Sequence, residues 1–210
     1  MLEKFNTILF DLDGTLIDSM TQHYKAWSEV LNRHGKQIGI EDFFALEGMN
    51  IYQLMTKITS ITSPEIIKSL IREKDEIFIE NFDFILYHGV LELIEKLKTK
   101  KYQLGIVTAS SKYRFEKTIP DEFRSNFSVV VTSDDEGPGK PDPWPYLCGV
   151  RKINSVPKYT LVFENAPLGI ASARAAKLTC VGIGSTITKD SLPMVDYYYD
   201  SISEFNLLVS

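Results

Sequence analysis

Two aspartates one residue apart, Asp11 and Asp13, followed by Gly14 and Thr15, close the apolar run Thr7–Phe10 within ILFDLDGTLIDS. Carboxylates at the end of a short β-branched and aromatic run are what a buried parallel strand delivers to the C-terminal edge of its sheet, where open α/β sheets bind ligands. In extended chain the two side chains would point to opposite faces. To meet on one ligand the chain must curl after Asp11, and Gly14 permits the curl. Other chemistry-bearing groups stand at similar places. Thr108, Ala109 and Ser110 close QLGIVTAS, Lys140 lies between Gly139 and Pro141 in GPGKPDP, and Glu164 and Asn165 close YTLVFEN. Carboxylates, a hydroxyl, an ammonium group and a second acidic corner suit phosphoryl transfer, where catalysis rests on positioning and neutralising an anionic group. Taken singly, Thr108 is an ordinary strand end and Lys140 a solvated lysine in a loop. Their placement together at one sheet edge is what points to a site.

The elements that must hold these groups follow from periodicity. From Val90 onward, amphipathic helices alternate with short apolar strands: VLELIEKLKTK, QLGIVTAS, KYRFEKTI, SVVVTS, PWPYLCGVRKI, YTLVFEN, PLGIASARAAKL, TCVGIG, a weak strand DYYY and a closing helix SEFNLL. That alternation predicts an α/β fold, a Rossmann-like, mostly parallel sheet with helices on both faces. Between Met20 and Leu86 no strand pattern occurs. Met20, His23, Trp27 and Val30 recur at helical spacing, EDFFAL and Ile51–Ile58 read as short helices, and a longer helix opens with Ser63 as N-cap and Pro64 at its first position. Its apolar stripe is Ile67, Leu70, Ile71, Ile77 and Phe78. The expected organisation is an α/β core of residues 1–16 and 88–210, with a small all-helical cap, residues 17–87, inserted after the first strand. Asp18 and Ser19 are expected as caps of the first cap helix, and Asp142 as a brace for the loop after Lys140.

Composition narrows the function classes. The chain has 210 residues, 44% of them hydrophobic, and a formal net charge of −5. No basic stripe argues for nucleic acid, and no run is long enough to span a membrane. The opening MLEKFNTILFDLDG lacks the layout of a signal peptide. The two cysteines, Cys148 and Cys180, form no metal pattern, and a reduced, cytoplasmic setting is expected. The expected partner is a small phosphorylated metabolite bound by a monomer.

DLDGTLIDS resembles the first signature of the haloacid dehalogenase superfamily. IVTAS, GKPDP and LVFENAPLGIASARAA resemble its second, third and fourth signatures, in order along the core. The helical insertion after the first strand is where one branch of that superfamily carries its cap. The resemblance implies Asp11 as nucleophile forming an aspartyl-phosphate, and Asp13 as general acid and then base. It implies Mg²⁺ held by Asp11 and the main-chain carbonyl of Asp13, with Glu164 and Asn165 as the acidic corner. The implied phosphate-binding set is Gly14, Thr15, Thr108, Ala109, Ser110 and Lys140, with Lys140 also paired to the nucleophile. Dehalogenation is not expected, because that branch lacks the second acidic residue that Asp13 supplies.

Within the branch, SDDEGPGKPDP and LVFENAPLGI are similar to phosphatases of small phosphorylated sugars and related compounds and to β-phosphoglucomutases. His23 and Lys74 interrupt apolar stripes of the cap, and a buried lysine needs a partner. Both positions resemble substrate-facing ones in the mutases. Each can also be read as ordinary packing, with Lys74 reaching past the stripe to water. The mutases carry an arginine after a cap-loop glycine to hold a second phosphate. Here Gly48 is followed by Met49, Asn50 and Ile51. The missing guanidinium, with Thr15, favours hydrolysis over the mutase reading. Asn165 stands where the fourth signature normally has aspartate. A neutral oxygen is a poorer partner for a hard cation, so either metal binding is weakened or Glu164 or Asp135 compensates, or the chain binds ligand without turning it over.

Overall fold

A computed structural model describes residues 2–45, 51–186, 188–191 and 195–209. The expected strands form one parallel sheet: β1 (Thr7–Phe10), β2 (Gln103–Val107), β3 (Val129–Val131), β4 (Thr160–Glu164), β5 (Thr179–Ile183) and β6 (Tyr197–Tyr199). Their order is β3-β2-β1-β4-β5-β6, and every pairing is parallel. β1 lies between β2 and β4, with Phe10 level with Ile106 and Phe163. The chain therefore crosses from one side of β1 to the other, and the crevice at that reversal is where such sheets bind ligands.

Helices cover both faces, as the alternation requires. Ile8, Phe10, Leu161 and Phe163 point to one face, onto α5 (Val90–Thr99) and α10 (Ile202–Asn206) through Leu93, Leu97 and Phe205. Leu9 and Val162 point to the other, onto α8 (Trp144–Lys152) and α9 (Pro167–Ala175) through Tyr146, Ile170 and Ala173. Gly149 lets α8 approach the sheet closely, since a Cβ there would press on Leu9 and Val107. α6 (Lys112–Thr118) follows β2. A further short helix, α7 (Asp121–Arg124), starts after Pro120 and was not expected.

Between β1 and α5 stand α1 (Met20–Arg33), α2 (Ile40–Ala45), α3 (Ile51–Thr59) and α4 (Pro64–Glu80). They share a separate apolar core that includes Trp27, Val30, Met55, Ile67, Leu70 and Phe78. Ile71 of the expected stripe is only half-buried and packs at its margin. Ser63 has extended backbone before α4 as expected of an N-cap, but its hydroxyl turns to Glu65 rather than to a backbone amide. The two connections between this module and the sheet run side by side: Asp18 N–H donates to Ile85 O, and Tyr87 N–H to Leu16 O. Among the described residues no helix is long and apolar enough to cross a membrane.

Candidate active site

The C-terminal edge of β1, β2 and β4 faces α1 and α4 across a cavity of about 950 Å³. Asp11 follows the last residue of β1, and its N–H donates to Phe163 O on β4, which fixes the start of the curl. The curl is a tight turn: Leu16 N–H returns to Leu12 O, and Gly14 N–H to Ile17 O. Gly14 has φ +84°, and a Cβ there would run into the Asn165 amide. So glycine is required for backbone conformation and for close approach at once.

Lys140 is the hub of the deep wall. Its Nζ lies 2.7 Å from Asp11 Oδ1, 2.6 Å from Glu164 Oε1 and 3.1 Å from Val107 O. Burial by itself would lower its pKa, but the carboxylates of Asp11 and then Glu164 hold the ammonium above the usual lysine range. Burial pushes Asp11 well up. Lys140 only partly offsets that, and the charges of Glu164 and Asp13 add to it. Glu164 is fully buried. Tyr146 O–H donates to its Oε1 at 2.9 Å, and Ala166 N–H to its Oε2 at 3.0 Å. Gly169 makes room for it, because a Cβ there would overlap the carboxylate.

Asp13 lies in the opposite wall. Ser19 Oγ donates to its Oδ1 at 2.6 Å, His23 Nε2 lies 3.1 Å from the same oxygen, and Arg114 Nη2 is 3.9 Å from Oδ2. Burial opposes ionisation, yet His23, Arg114 and Ser19 together hold the carboxyl well below the usual carboxylate range. Burial, reinforced by the charge of Lys74, lowers His23 to about 4 despite Asp13 beside it. At neutral pH the imidazole thus supplies an Nε2–H hydrogen bond rather than a charge. Lys74 is only 2% exposed and lies 3.3 Å from Asp75 Oδ1. Burial first, then Arg114, lowers it to about 7.

Asp11, Asp13, Thr108, Ala109, Lys140, His23 and Lys74 line this one cavity, with Glu164 behind Lys140. Lys74 therefore does not reach past its stripe to water. Gly48 lies outside the described residues.

Other expectations need correction. Ser110 is buried, and its N–H is taken by Thr108 Oγ1 at 3.0 Å; Ser111 lines the cavity instead and caps α6 by accepting from Arg114 N–H. Gly14 and Thr15 do not present amides to a phosphate, because their N–H groups close the turn on Ile17 O and Leu12 O. Thr15 Oγ1 donates to Asn165 Oδ1 at 2.8 Å, and Asn165 Nδ2 donates to Thr186 Oγ1 at 2.9 Å. Asn165 is thus a strut under the turn, with its carbonyl engaged, rather than an open metal ligand. Glu164 is a partner of Lys140 and Tyr146 rather than an open metal ligand. Asp135 cannot compensate freely either, since it accepts from Thr132 N–H and pairs with Lys152. Ser19 stands at the N-cap position of α1 as expected, but its hydroxyl makes no cap bond and holds Asp13 instead. Asp142 does brace its loop, accepting from Trp144 N–H at 2.8 Å.

Among the described residues no group of three or more His, Cys, Asp or Glu side chains forms a metal cage. What remains for a cation is the Asp11 carboxylate and the Asp13 main-chain carbonyl. That sparse oxygen set suits Mg²⁺, which keeps several waters and takes oxygens from a phosphate.

Tyr146, Ser19, Asp75 and Arg114 were not anticipated as parts of the site. Arg114 does leave a trace in the sequence: a cation in the first turn of α6 opposes the helix dipole, and such local inconsistency often marks a site.

Residues 8–183 match the haloacid dehalogenase-like hydrolases. The chain is 28% identical over 204 residues to validoxylamine A 7'-phosphate phosphatase of Streptomyces hygroscopicus subsp. limoneus, covering 95% of each. It is 30% identical over 189 residues to fructose-1-phosphate phosphatase YqaB of Escherichia coli (strain K12), covering 87% of this chain and 98% of the other. The crystal structure of a β-phosphoglucomutase from Clostridium difficile shares the fold, with TM-score 0.80 and 23% identity over 94% of this chain and 92% of that one.

Proposed function

This chain belongs to the haloacid dehalogenase-like hydrolases and is a phosphatase of that family, and we propose that it hydrolyses a small phosphorylated metabolite, a sugar phosphate or similar, through a phosphoryl group carried on Asp11. The observation that carries this reading is Lys140, which joins Asp11 at 2.7 Å to Glu164 at 2.6 Å beside Thr108 and across the cavity from Asp13.

Lys140 holds Asp11 Oδ1, which leaves Oδ2 to attack phosphorus in line with the leaving oxygen. Thr108 and Ala109 line the cavity near Asp11, where the phosphoryl oxygens would lie. Because the Lys140 ammonium stays charged, it offsets part of the repulsion between the nucleophile and an anionic ester. Bound Mg²⁺, held by Asp11 and the Asp13 carbonyl, would supply the remaining neutralisation. Asp13 gives a proton to the leaving alkoxide and later takes one from water. In the ligand-free site Asp13 is held as the carboxylate, the form the second step needs. To act as the acid in the first step it must first take up a proton, which an anionic phosphoryl group beside it would favour.

Hydrolysis is favoured over a mutase reaction by the partners of Arg114. This residue brings a guanidinium to the cavity, but it faces the carboxylates of Asp75 and Asp13 and so is not an open clamp for a second phosphate. The test is phosphate release from a panel of sugar phosphates with Mg²⁺, beside Asp11→Asn. Release by the wild type and its loss in the variant are expected. Isomer formation that needs a bisphosphate primer would instead identify a mutase, and binding without turnover a silent binder.

A further inference from the structure

The mechanism above leaves the buried Arg114–Asp75 pair without a task, and that pair spans two modules. Arg114 belongs to α6, directly after the cavity floor at the end of β2. Its side chain crosses to the helical module, where Nη1 meets Asp75 Oδ1 of α4 at 2.8 Å, the two side chains being 13% and 12% exposed. Nη2 is 3.9 Å from Asp13 Oδ2. The guanidinium also lies over the ring of Phe78, 5.6 Å from its centroid. The other side of this cluster runs back to the same aspartate. Phe78 is stacked on His23 with centroids 4.1 Å apart and planes 11° apart, and His23 reaches Asp13 Oδ1.

Asp13 is therefore held at Oδ1 by Ser19 and by His23 of α1, and approached at Oδ2 by the sheet layer, through Arg114. α1 and α4 belong to the helical module and Arg114 to the sheet layer. The Arg114–Asp75 pair joins the two where the module lies on the sheet. Parting them would leave Asp75 with Lys74 alone and Arg114 with Asp13 alone, so the pair favours the arrangement in which the module lies on the sheet. A planar guanidinium can face two carboxylates at once, which a lysine ammonium on a flexible stem does less well.

We propose that Arg114 is a positioning residue that couples closure of the helical module to the aim of the acid–base group: by gripping Asp75 it seats α4, Phe78 and His23 so that Asp13 points at the leaving oxygen. The proposal rests on the phosphatase reading, and it predicts a dependence on the leaving group. An ester whose leaving group needs no proton feels the loss of a well-aimed acid little, whereas a poor leaving group feels it strongly.

The experiment measures kcat/KM for a series of aryl phosphates from p-nitrophenyl phosphate to phenyl phosphate in the wild type, Arg114→Gln, Arg114→Lys and Asp75→Asn. Arg114→Gln and Asp75→Asn are expected to lose about 10-fold more on phenyl than on p-nitrophenyl phosphate, with Arg114→Lys between them and the wild type. Equal losses along the series, or none, overturn the proposal. A second arm does not need turnover. Trp27 is 4% exposed and lines the cavity, so in a Trp144→Phe background acrylamide quenching reports on opening. Arg114→Gln should raise that quenching, and Arg114→Lys should raise it less. Unchanged quenching in Arg114→Gln overturns the proposal. A wild type that releases phosphate from no ester would sink the phosphatase reading, and the quenching arm would still decide whether Arg114 is a latch.

Discussion

The two walls of the cavity are both ionic and both buried, but they are built differently. In the deep wall, Asp11 and Glu164 come from neighbouring parallel strands, and Lys140 closes on them from a loop braced by Asp142. Every group there belongs to the sheet layer. In the upper wall, Asp75, Lys74 and His23 come from helices of the inserted module, while Arg114 comes from the layer below. The first wall is set once the sheet forms. The second exists only when two modules meet. A phosphatase needs both properties, a fixed nucleophile and an acid that is aimed when substrate is enclosed.

The sharpest way to break the comparison is at the deep wall. Asp11→Asn removes the nucleophile at nearly constant shape and should reduce turnover by roughly a thousandfold or more, measured as phosphate release. Lys140→Met should also abolish turnover. It would in addition destabilise the fold by about 3–5 kcal/mol, because it leaves Asp11 and Glu164 buried without their cation; a denaturant titration reads this.

The upper wall should respond in the opposite sense to loss of its lysine. Lys74 titrates at about 7 in the folded chain, below the 10.5 of an ordinary lysine. Below pH 7 both folded and unfolded chains carry the proton, and the burial penalty is fully present. Between pH 7 and 10.5 the unfolded chain binds more protons, so stability rises with pH and the penalty fades. Lys74→Met should therefore stabilise the fold at pH 6, by an amount of order a few kcal/mol, and by much less at pH 9. A lysine gain that is flat from pH 6 to 9 would remove the contrast between the walls. The smallest effect is expected from Tyr146→Phe. It deletes one hydrogen bond to Glu164 and should lower stability by about 1.5–3 kcal/mol without abolishing phosphate release.

The deep wall was largely legible in the sequence because strand ends are. A four-residue apolar strand followed by Asp11, Asp13 and Gly14 reads as a curl at a sheet edge, whereas Lys140 is placed beside the nucleophile by the resemblance of GKPDP to the third signature. Ser110 and Ser111 could not be told apart, since which hydroxyl faces the cavity depends on how the chain turns into α6. Thr15 reads as a ligand because it belongs to the first signature and Asn165 because it belongs to the fourth; only their mutual hydrogen bond shows that they hold the turn. The upper wall was legible only in part. His23 and Lys74 stood out as polar breaks in apolar stripes. Asp75 and Arg114 did not, because their partnership joins residues on different modules, a relation that no local period records. The short helix α7 escaped for another reason: four residues are too few to show a helical period.

The central claim concerns the chemistry of Asp11, and trapping the reaction reads it most directly. Wild-type protein mixed with a substrate ester and Mg²⁺, then quenched in acid, should yield a peptide containing Asp11 that is heavier by one phosphoryl group, and Asp11→Asn should yield none. Steady phosphate release with that peptide never modified, or modified equally in the variant, would contradict the account.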